Sequence, residues 1–512
     1  MDKIKEYKDC ELIVDLSHMP LDQAIEDELW EVMHEKMNAL EEGEISNPSE
    51  ARKVGHYWLR NPQLAPEDFR ETIEKTINEI KIFAKKVHEG EILSEDGKLF
   101  ANAIIIGIGG SSLGPRFLSE ALSGKDNRIK LYFMDNTDPD GIEDIFAKVR
   151  QELSETLIIV ISKSGGTVET RNGMLETKKQ FDKRKLSFEK NFIAITQENS
   201  KLFNIAKEEK WLKTFPIWEW VGGRTSVFSA VGLLPLALQG CDLDSFIRGG
   251  MLCDKETRNN KDNPAKDITF AWLSSTSKKP SKNIVILPYK DKLELFSKYL
   301  QQLIMESLGK EYDLDGNVVN QGLYVMGNKG TSDQHSYLQQ LMDGPGDYFV
   351  IFINALSFKA ERSLIDGDYC SADYLQAFLL GTRKALSDKK KESITLSIKD
   401  VKEFNLGVLI ALFERIVGYY AFALNINAYD QPAVEKSKKA AAEILEIKKE
   451  ITSYLKKTKE MKSIKHIAQD LKLVNKQDIV YYLLEYLSAN PESGIKNNSD
   501  HLPSERKYYF KI

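Results

Sequence analysis

The sequence predicts an α/β protein with two sandwich domains built on parallel-rich sheets. Three observations carry that expectation. Short runs rich in Ile, Val, Leu and Phe recur, apolar at consecutive positions, as strands buried on both faces require. Amphipathic stretches separate them, the alternation that builds a parallel sheet. The texture also occurs twice: in ANAIIIGIGGSS, IKLYFMDNTDP, TLIIVISKSGGT and FIAITQENS, then in NIVILPYKD, GLYVMGNKGTSDQHS and DYFVIFINAL. With 512 residues the chain has room for roughly three units of about 150 residues.

The expected organisation is an N-terminal helical segment (1–90), a first α/β domain (91–240), a second (241–445) and a helical C-terminal extension (446–512). SNPSEARKVGHYWLR reads as a helix start. Asn47 would be the N-cap, Pro48 the first helical residue and Glu50 the partner in a capping box. The stretch 236–265 turns polar and reads as a linker. VEKSKKAAAEILEIKKEITSYLKK reads as a helix with a solvated charged face, and NPESGIKNNSDHLPSERKYYFKI as a loose tail.

Apolar residues make up 42% and charged residues 29%, a globular composition. The net charge of −6 argues against a nucleic-acid partner, which would favour a basic surface. Cys10, Cys241, Cys253 and Cys370 are scattered and form no C-x-x-C pair, which fits free thiols in a reducing compartment. MDKIKEYKDC lacks the apolar core of a signal peptide, and runs such as AIIIGIGG are too short to span a membrane. The expectation is a cytoplasmic protein with no membrane partner.

In open parallel sheets ligands bind beyond the carboxyl ends of the strands. Gly107-Ile108-Gly109-Gly110-Ser111-Ser112-Leu113-Gly114 lies there, between a strand and a helix, and aims N–H groups at an anion. A dinucleotide fingerprint would need glycine where Ser112 stands, and Asp135 lies too far along the chain to be the ribose acid. Ser162-Lys163-Ser164-Gly165-Gly166-Thr167 is a second such loop. Its hydroxyls, glycines and lysine make a monophosphate cradle without a P-loop pattern.

VGGRTSVFSAVG places Arg224 behind two glycines, which let the backbone approach a ligand closely. GNKGTSDQHS places His335 in a loop past a strand, and YDQPAVEKSKKAA carries Gln431 and Lys438 at a loop-to-helix junction. In LELFSKYLQQLIMES the apolar stripe is Phe296, Tyr299, Leu300, Leu303 and Ile304, with Gln302 and Glu306 one turn apart at its edge. A carboxylate there is partly desolvated, the setting of a general base. No metal-ligand set stands out, and Asp313-Leu314-Asp315-Gly316-Asn317 reads as a turn.

These segments, IGIGGSSLGP, ISKSGGTVET, VGGRTSVFSAVG, QQLIMES, GTSDQHSYLQQL and DQPAVEKSK, occur in the order and spacing of the phosphoglucose isomerase family, which the chain resembles from about residue 45 to 445. The resemblance implies two sugar-isomerase (SIS) sandwich domains, a homodimer with a shared active site, a sugar monophosphate substrate and no cofactor or metal. It implies that Glu306 shuttles a proton between C2 and C1 of open-chain glucose 6-phosphate, forming fructose 6-phosphate, while Arg224 stabilises the enediolate. It assigns ring opening to His335 and Lys438, with the histidine supplied by the partner subunit and oriented by Glu169. Ser111, Ser162, Lys163, Ser164 and Thr167 fall on the phosphate- and substrate-binding loops, and Gly110, Gln302 and Gln431 on substrate contacts. Ser112, Gly165-Gly166 and Thr225 depart from the commoner pattern, as in a bacterial-type subgroup. A sugar-phosphate-binding regulator would need the loops but not the base. A dehydrogenase is disfavoured by Ser112.

Overall fold

The computed structural model describes residues 3–458, 460–498, 502 and 505–511, with the side chains of 433–439 outside the description. The chain divides into two compact units, Met1–Asp430 and Gln431–Ile512, whereas the sequence pattern began the C-terminal extension at 446.

The first unit holds two sheets. One has the order Lys130–Met134, Asn102–Ile106, Thr156–Ile161, Phe192–Thr196, Lys213–Pro216, every pair parallel. The other runs Ile4–Tyr7, Leu12–His18, Ser393–Ile398, Tyr348–Ala355, Asn283–Pro288, Val325–Met326. Its inner pairs are parallel, and the N-terminal hairpin closes it antiparallel. Strand alternation explains why these runs are apolar throughout. In the first sheet Ala103, Ile105, Leu157 and Ile159 face the core shared by both sheets. Ile104, Ile106, Ile158 and Val160 face a separate core under the outer helices. The second sheet repeats the division, with Ile284 and Ile286 inward and Val285 and Leu287 outward. Both sheets are thus middle layers of αβα sandwiches.

Several expectations change. The N-terminal segment is not only helical, because its first strands extend the second sheet. SNPSEARKV is a hairpin, Ser46–Asn47 against Arg52–Lys53, not a helix start. The Asn47 side chain does accept from the Ser49 N–H, but as an Asx turn, while its amide donates to the Tyr429 carbonyl. Tertiary partners therefore outweigh the local capping pattern. The stretch read as a linker is mostly the helix Leu243–Thr257, whose Gly249 lies against Phe404; a Cβ there would come within 2.0 Å of the Phe404 carbonyl oxygen. Most of its polar residues lie on the exposed side, but Asp254 is fully buried and accepts two bonds from Arg60, at 2.6 and 3.0 Å, and one from Arg415 at 3.0 Å.

That network disguised the helix Glu403–Ala423. It is long and apolar enough to cross a membrane, yet 89% of its apolar window is buried inside the unit. A helix apolar on every side is a core helix here, and the buried Glu414–Arg415 pair interrupts its apolar run.

The second unit follows the order helix, strand, helix, helix, two strands: Pro432–Thr458, Lys462–Ser463, Ile464–Asp470, Gln477–Ala489, Ile495–Asn497 and Lys507–Phe510. Its sheet places Lys507–Phe510 between the other two strands, so the described part of the tail is ordered and paired. Ile447, Ile451 and Leu455, the buried stripe of the long helix, pack with Val480, Leu484 and Tyr508 in a core of their own.

Candidate active site

The loops after Asn102–Ile106 and Thr156–Ile161 lie where the first sheet reverses its strand order, since strand Asn102–Ile106 has a neighbour on each side that follows it in sequence. Crevices at such a reversal are where open α/β sheets hold ligands. The first loop tightens into the turn Gly109–Ser111 before the helix Leu113–Leu122. Gly110 is buried against the next segment, and a Cβ would stand 2.0 Å from the Gly223 carbonyl oxygen and 2.9 Å from the Arg224 nitrogen. Only glycine lets these backbones meet. Ser112 donates to Asp135 at 3.0 Å, and Arg116 reaches the same carboxylate at 3.4 Å, so the imitation ribose acid is already engaged.

The second loop folds on itself. The Ser162 hydroxyl donates to Thr167 Oγ1 at 3.2 Å and accepts from the Gly165 N–H at 3.1 Å, and Ser164 Oγ accepts from the Gly166 N–H. Lys163 Nζ donates to the carbonyls of Glu219 at 2.7 Å and Val221 at 3.1 Å. Burial, reinforced by the positive charge of Arg52, pulls its ammonium down to about 8. Both loops are therefore fastened to one segment, 219–224, that leads into Arg224.

Arg224 is 5% exposed and uses its whole fork. Nε donates to Ser307 Oγ at 2.7 Å, and Nη2 donates to the carbonyls of Ala428 at 2.6 Å and Asp430 at 2.8 Å. Nη1 faces Glu306 Oε2 at 3.2 Å. Burial pulls the guanidinium below its usual value, and Glu306 opposes that pull. Gln302 Nε2 donates to the same Glu306 oxygen at 3.1 Å.

Glu306 and Gln302 share an edge as the apolar stripe implied, but the backbone is not a plain α-helix. After Phe296–Leu300 the segment Gln301–Glu306 is π-helical. Such wide turns are frequent at functional sites. The five stripe residues are buried, and the Glu306 side chain is 21% exposed.

His335 ends the turn Ser332–His335 and is exposed. Its loop is pinned by a residue the sequence did not single out: buried Asp333 accepts from the Asn328 N–H at 2.8 Å and from the Tyr337 hydroxyl. Glu169 sits partly buried in the first turn of Val168–Lys183. Among the described residues no hydrogen bond or ion pair joins His335 to Glu169 or Glu306. Gln431 and Lys438 belong to the second unit. Gln431 precedes the helix Pro432–Thr458, and Lys438 lies on it with its side chain outside the described residues. The structure thus brings together Gly110, Arg224, Gln302 and Glu306, ties Lys163 to the segment leading into Arg224, and leaves His335 apart. Sequence reasoning also missed Ser307, next to Glu306, and Lys310, four residues further on; no motif marked either residue.

A parallel-sheet crevice with two hydroxyl- and glycine-rich loops above a carboxylate–guanidinium pair defines a class: an α/β enzyme for a small anionic ligand. The model of the family described as phosphoglucose isomerase matches residues 15–368. A glucose-6-phosphate isomerase of Desulfitobacterium hafniense (strain DSM 10664 / DCB-2) is 47% identical over 99% of this chain and 97% of its own length. One of Geobacter sp. (strain M21) is 45% identical over 98% and 96%. The crystal structure of a glucose-6-phosphate isomerase from Chlamydia trachomatis shares the fold, with a TM-score of 0.77 at 23% identity, covering 87% of this chain and 90% of that one. The chain belongs to the phosphoglucose isomerase family.

Gly110→Ala tests the contact between the two site loops. The added methyl has backbone, not a yielding side chain, in its way, so the turn must move off Gly223–Arg224. Activity on a sugar phosphate is expected to fall about 100-fold, the usual scale for a shift of about 1 Å in a reacting group. Unchanged activity would show that the contact does not position Arg224.

Proposed function

We propose that the chain interconverts glucose 6-phosphate and fructose 6-phosphate through a cis-enediol(ate). The observation that carries this reading is the Arg224–Glu306 pair, a carboxylate held 3.2 Å from a buried guanidinium beside the anion-holding loops. A proton alpha to a carbonyl is a poor acid, so its removal needs a base and a fixed positive charge where the oxyanion develops. In this reading Glu306 takes the C2 proton of the open-chain aldose. The C2–H electron pair becomes the C1–C2 double bond, and charge gathers on O1 beside Arg224. Glu306 then returns the proton to C1 while the O2 proton passes to O1, so that C2 becomes the carbonyl and O1 the new hydroxyl. The guanidinium takes no part in proton exchange, which suits a purely electrostatic role. Gln302 orients the carboxylate through the oxygen it shares with Arg224.

Ser111, Ser162, Lys163, Ser164 and Thr167 are proposed to hold the phosphate and the sugar's near end, with Gly110 and Gln431 completing the substrate contacts. Phosphate binding lies away from the reacting carbons, so its energy can position them. Ring opening is assigned to His335 and Lys438. His335 is exposed on a pinned loop, which suits delivery to the site of a second copy with Glu169 orienting it, and hence a homodimer. The division of the first unit into SIS-type domains at about residue 240 belongs to the same reading.

Glu306→Gln keeps the shape and removes the base. The expected loss in kcat is on the order of 10²–10⁴ with KM little changed, measured by coupled assay of either sugar phosphate. Ligand binding without turnover by the native chain would favour a non-catalytic binder. Lys163 supplies a pH test. Its ammonium is charged below about 8 and neutral above, so attraction for the phosphate dianion weakens as pH rises through that value. A plot of kcat/KM between about pH 6.5 and about pH 9.5 should show an alkaline limb near 8 that Lys163→Arg removes. A limb that persists in the arginine variant assigns it to another group.

A further inference from the structure

Assigning Glu306 and Arg224 leaves an adjacent buried ion pair without a role. Lys310 is 9% exposed and Asp430 8%. Lys310 Nζ donates to the Glu306 main-chain carbonyl at 2.8 Å and to the Asp430 carbonyl at 3.3 Å, and stands 3.4 Å from Asp430 Oδ1. The other Asp430 carboxylate oxygen accepts from the Ser49 hydroxyl, while Oδ1 makes no hydrogen bond among the described residues and faces the charge of Lys310.

Arg224 converges on the same residue. Its Nη2 already donates to the Asp430 carbonyl, and its Nη1 faces the Glu306 carboxylate. Two cations and two carboxylates are therefore interleaved. Lys310 touches the main chain of the base and the carboxylate of Asp430; Arg224 touches the carboxylate of the base and the main chain of Asp430. A buried carboxylate that loses its partner is strongly destabilising and recruits the nearest available cation. The buried cation already bonded to Asp430, through its carbonyl, is Arg224. Without Lys310, two carboxylates would compete for one guanidinium, and the donor aimed at Glu306 would be drawn away.

We propose that Lys310 is a positioning residue for the isomerisation: by neutralising Asp430 it reserves Arg224 for Glu306 and for the oxygen charge that develops beside it. The inference rests on the functional reading given above. Lys310 touches no reacting atom. It acts through Arg224 and through the carbonyl of Glu306, which fixes the end of the π-helical turn carrying the base. Substrate binding at the two phosphate loops does not depend on it, so its loss should appear in kcat.

The test compares the native enzyme with Lys310→Met, Lys310→Arg and the double variant Lys310→Met/Asp430→Asn, measuring kcat, KM and Tm with both sugar phosphates. Lys310→Met is expected to lower kcat about 10- to 100-fold with KM within about threefold. Lys310→Arg keeps the charge and should stay within about fivefold of native kcat. The double variant removes the competing carboxylate and should regain at least about fivefold over Lys310→Met, a recovery that lost packing alone would not give. Native kcat in Lys310→Met, with only Tm lowered, overturns the proposal, as does a double variant no faster than Lys310→Met. Should Lys310→Met not fold, the arginine and double variants decide. The double buries no unpaired charge, and a kcat in either below about a hundredth of native overturns the proposal. A native chain without turnover would sink the functional reading itself, whereas native turnover indifferent to residue 310 sinks only this inference.

Discussion

A buried arginine with every part of its fork occupied is the constraint on which the site depends. Arg224 needs Ser307 and Glu306 from one segment and the carbonyls of Ala428 and Asp430 from another. These partners lie far apart in sequence, so the guanidinium is satisfied only once both sheets and the helix Glu403–Ala423 are assembled. Leaving any of those groups unpaired in a dry interior costs more than a net hydrogen bond contributes. The same arginine is therefore a structural keystone and the fixed charge beside Glu306. Glycine makes the arrangement possible from the other side, because the Gly110 turn can press directly on the Gly223–Arg224 backbone.

Most of the sheet strands legible in the sequence were those buried on both faces. NAIII, TLIIVI and NIVILP are unbroken apolar runs because alternate residues face different cores. The strands that escaped notice carry polar residues that the structure buries. Leu12–His18 contains Asp15, which pairs with Arg383, and Ser393–Ile398 alternates Ser and Thr with Ile and Leu. Lys213–Pro216 is short, with its proline at the end. The hairpin at 46–53 was misread because a good local capping pattern says nothing about Tyr429, to which both Asn47 and Arg52 donate. Local preference is a weak prior when a distant acceptor is waiting.

The site was legible where its chemistry is local. Glycine- and hydroxyl-rich loops announce backbone donors, and an arginine behind paired glycines announces a close approach. The edge position of Glu306 held, although the π-helical turn that sets its direction left no mark in the apolar spacing. What escaped was decided by burial and pairing that the spacing does not show: Ser307 under Arg224 and Lys310 on Asp430, both long-range, and Asp333, whose bonds to Asn328 and Tyr337 are local but buried beneath the His335 loop. Each is a common polar residue whose importance comes only from burial beside its partner.

The central claim is that a single carboxylate, Glu306, carries the proton between neighbouring carbons beside Arg224. Following deuterium from C2-labelled glucose 6-phosphate tests it most directly. The account predicts that part of the label arrives at C1 of fructose 6-phosphate and the rest appears in solvent, because a carboxylic acid exchanges its proton during the life of the intermediate. Complete retention of the label at C1 over many turnovers, with none reaching solvent, would contradict it and point to direct hydride transfer.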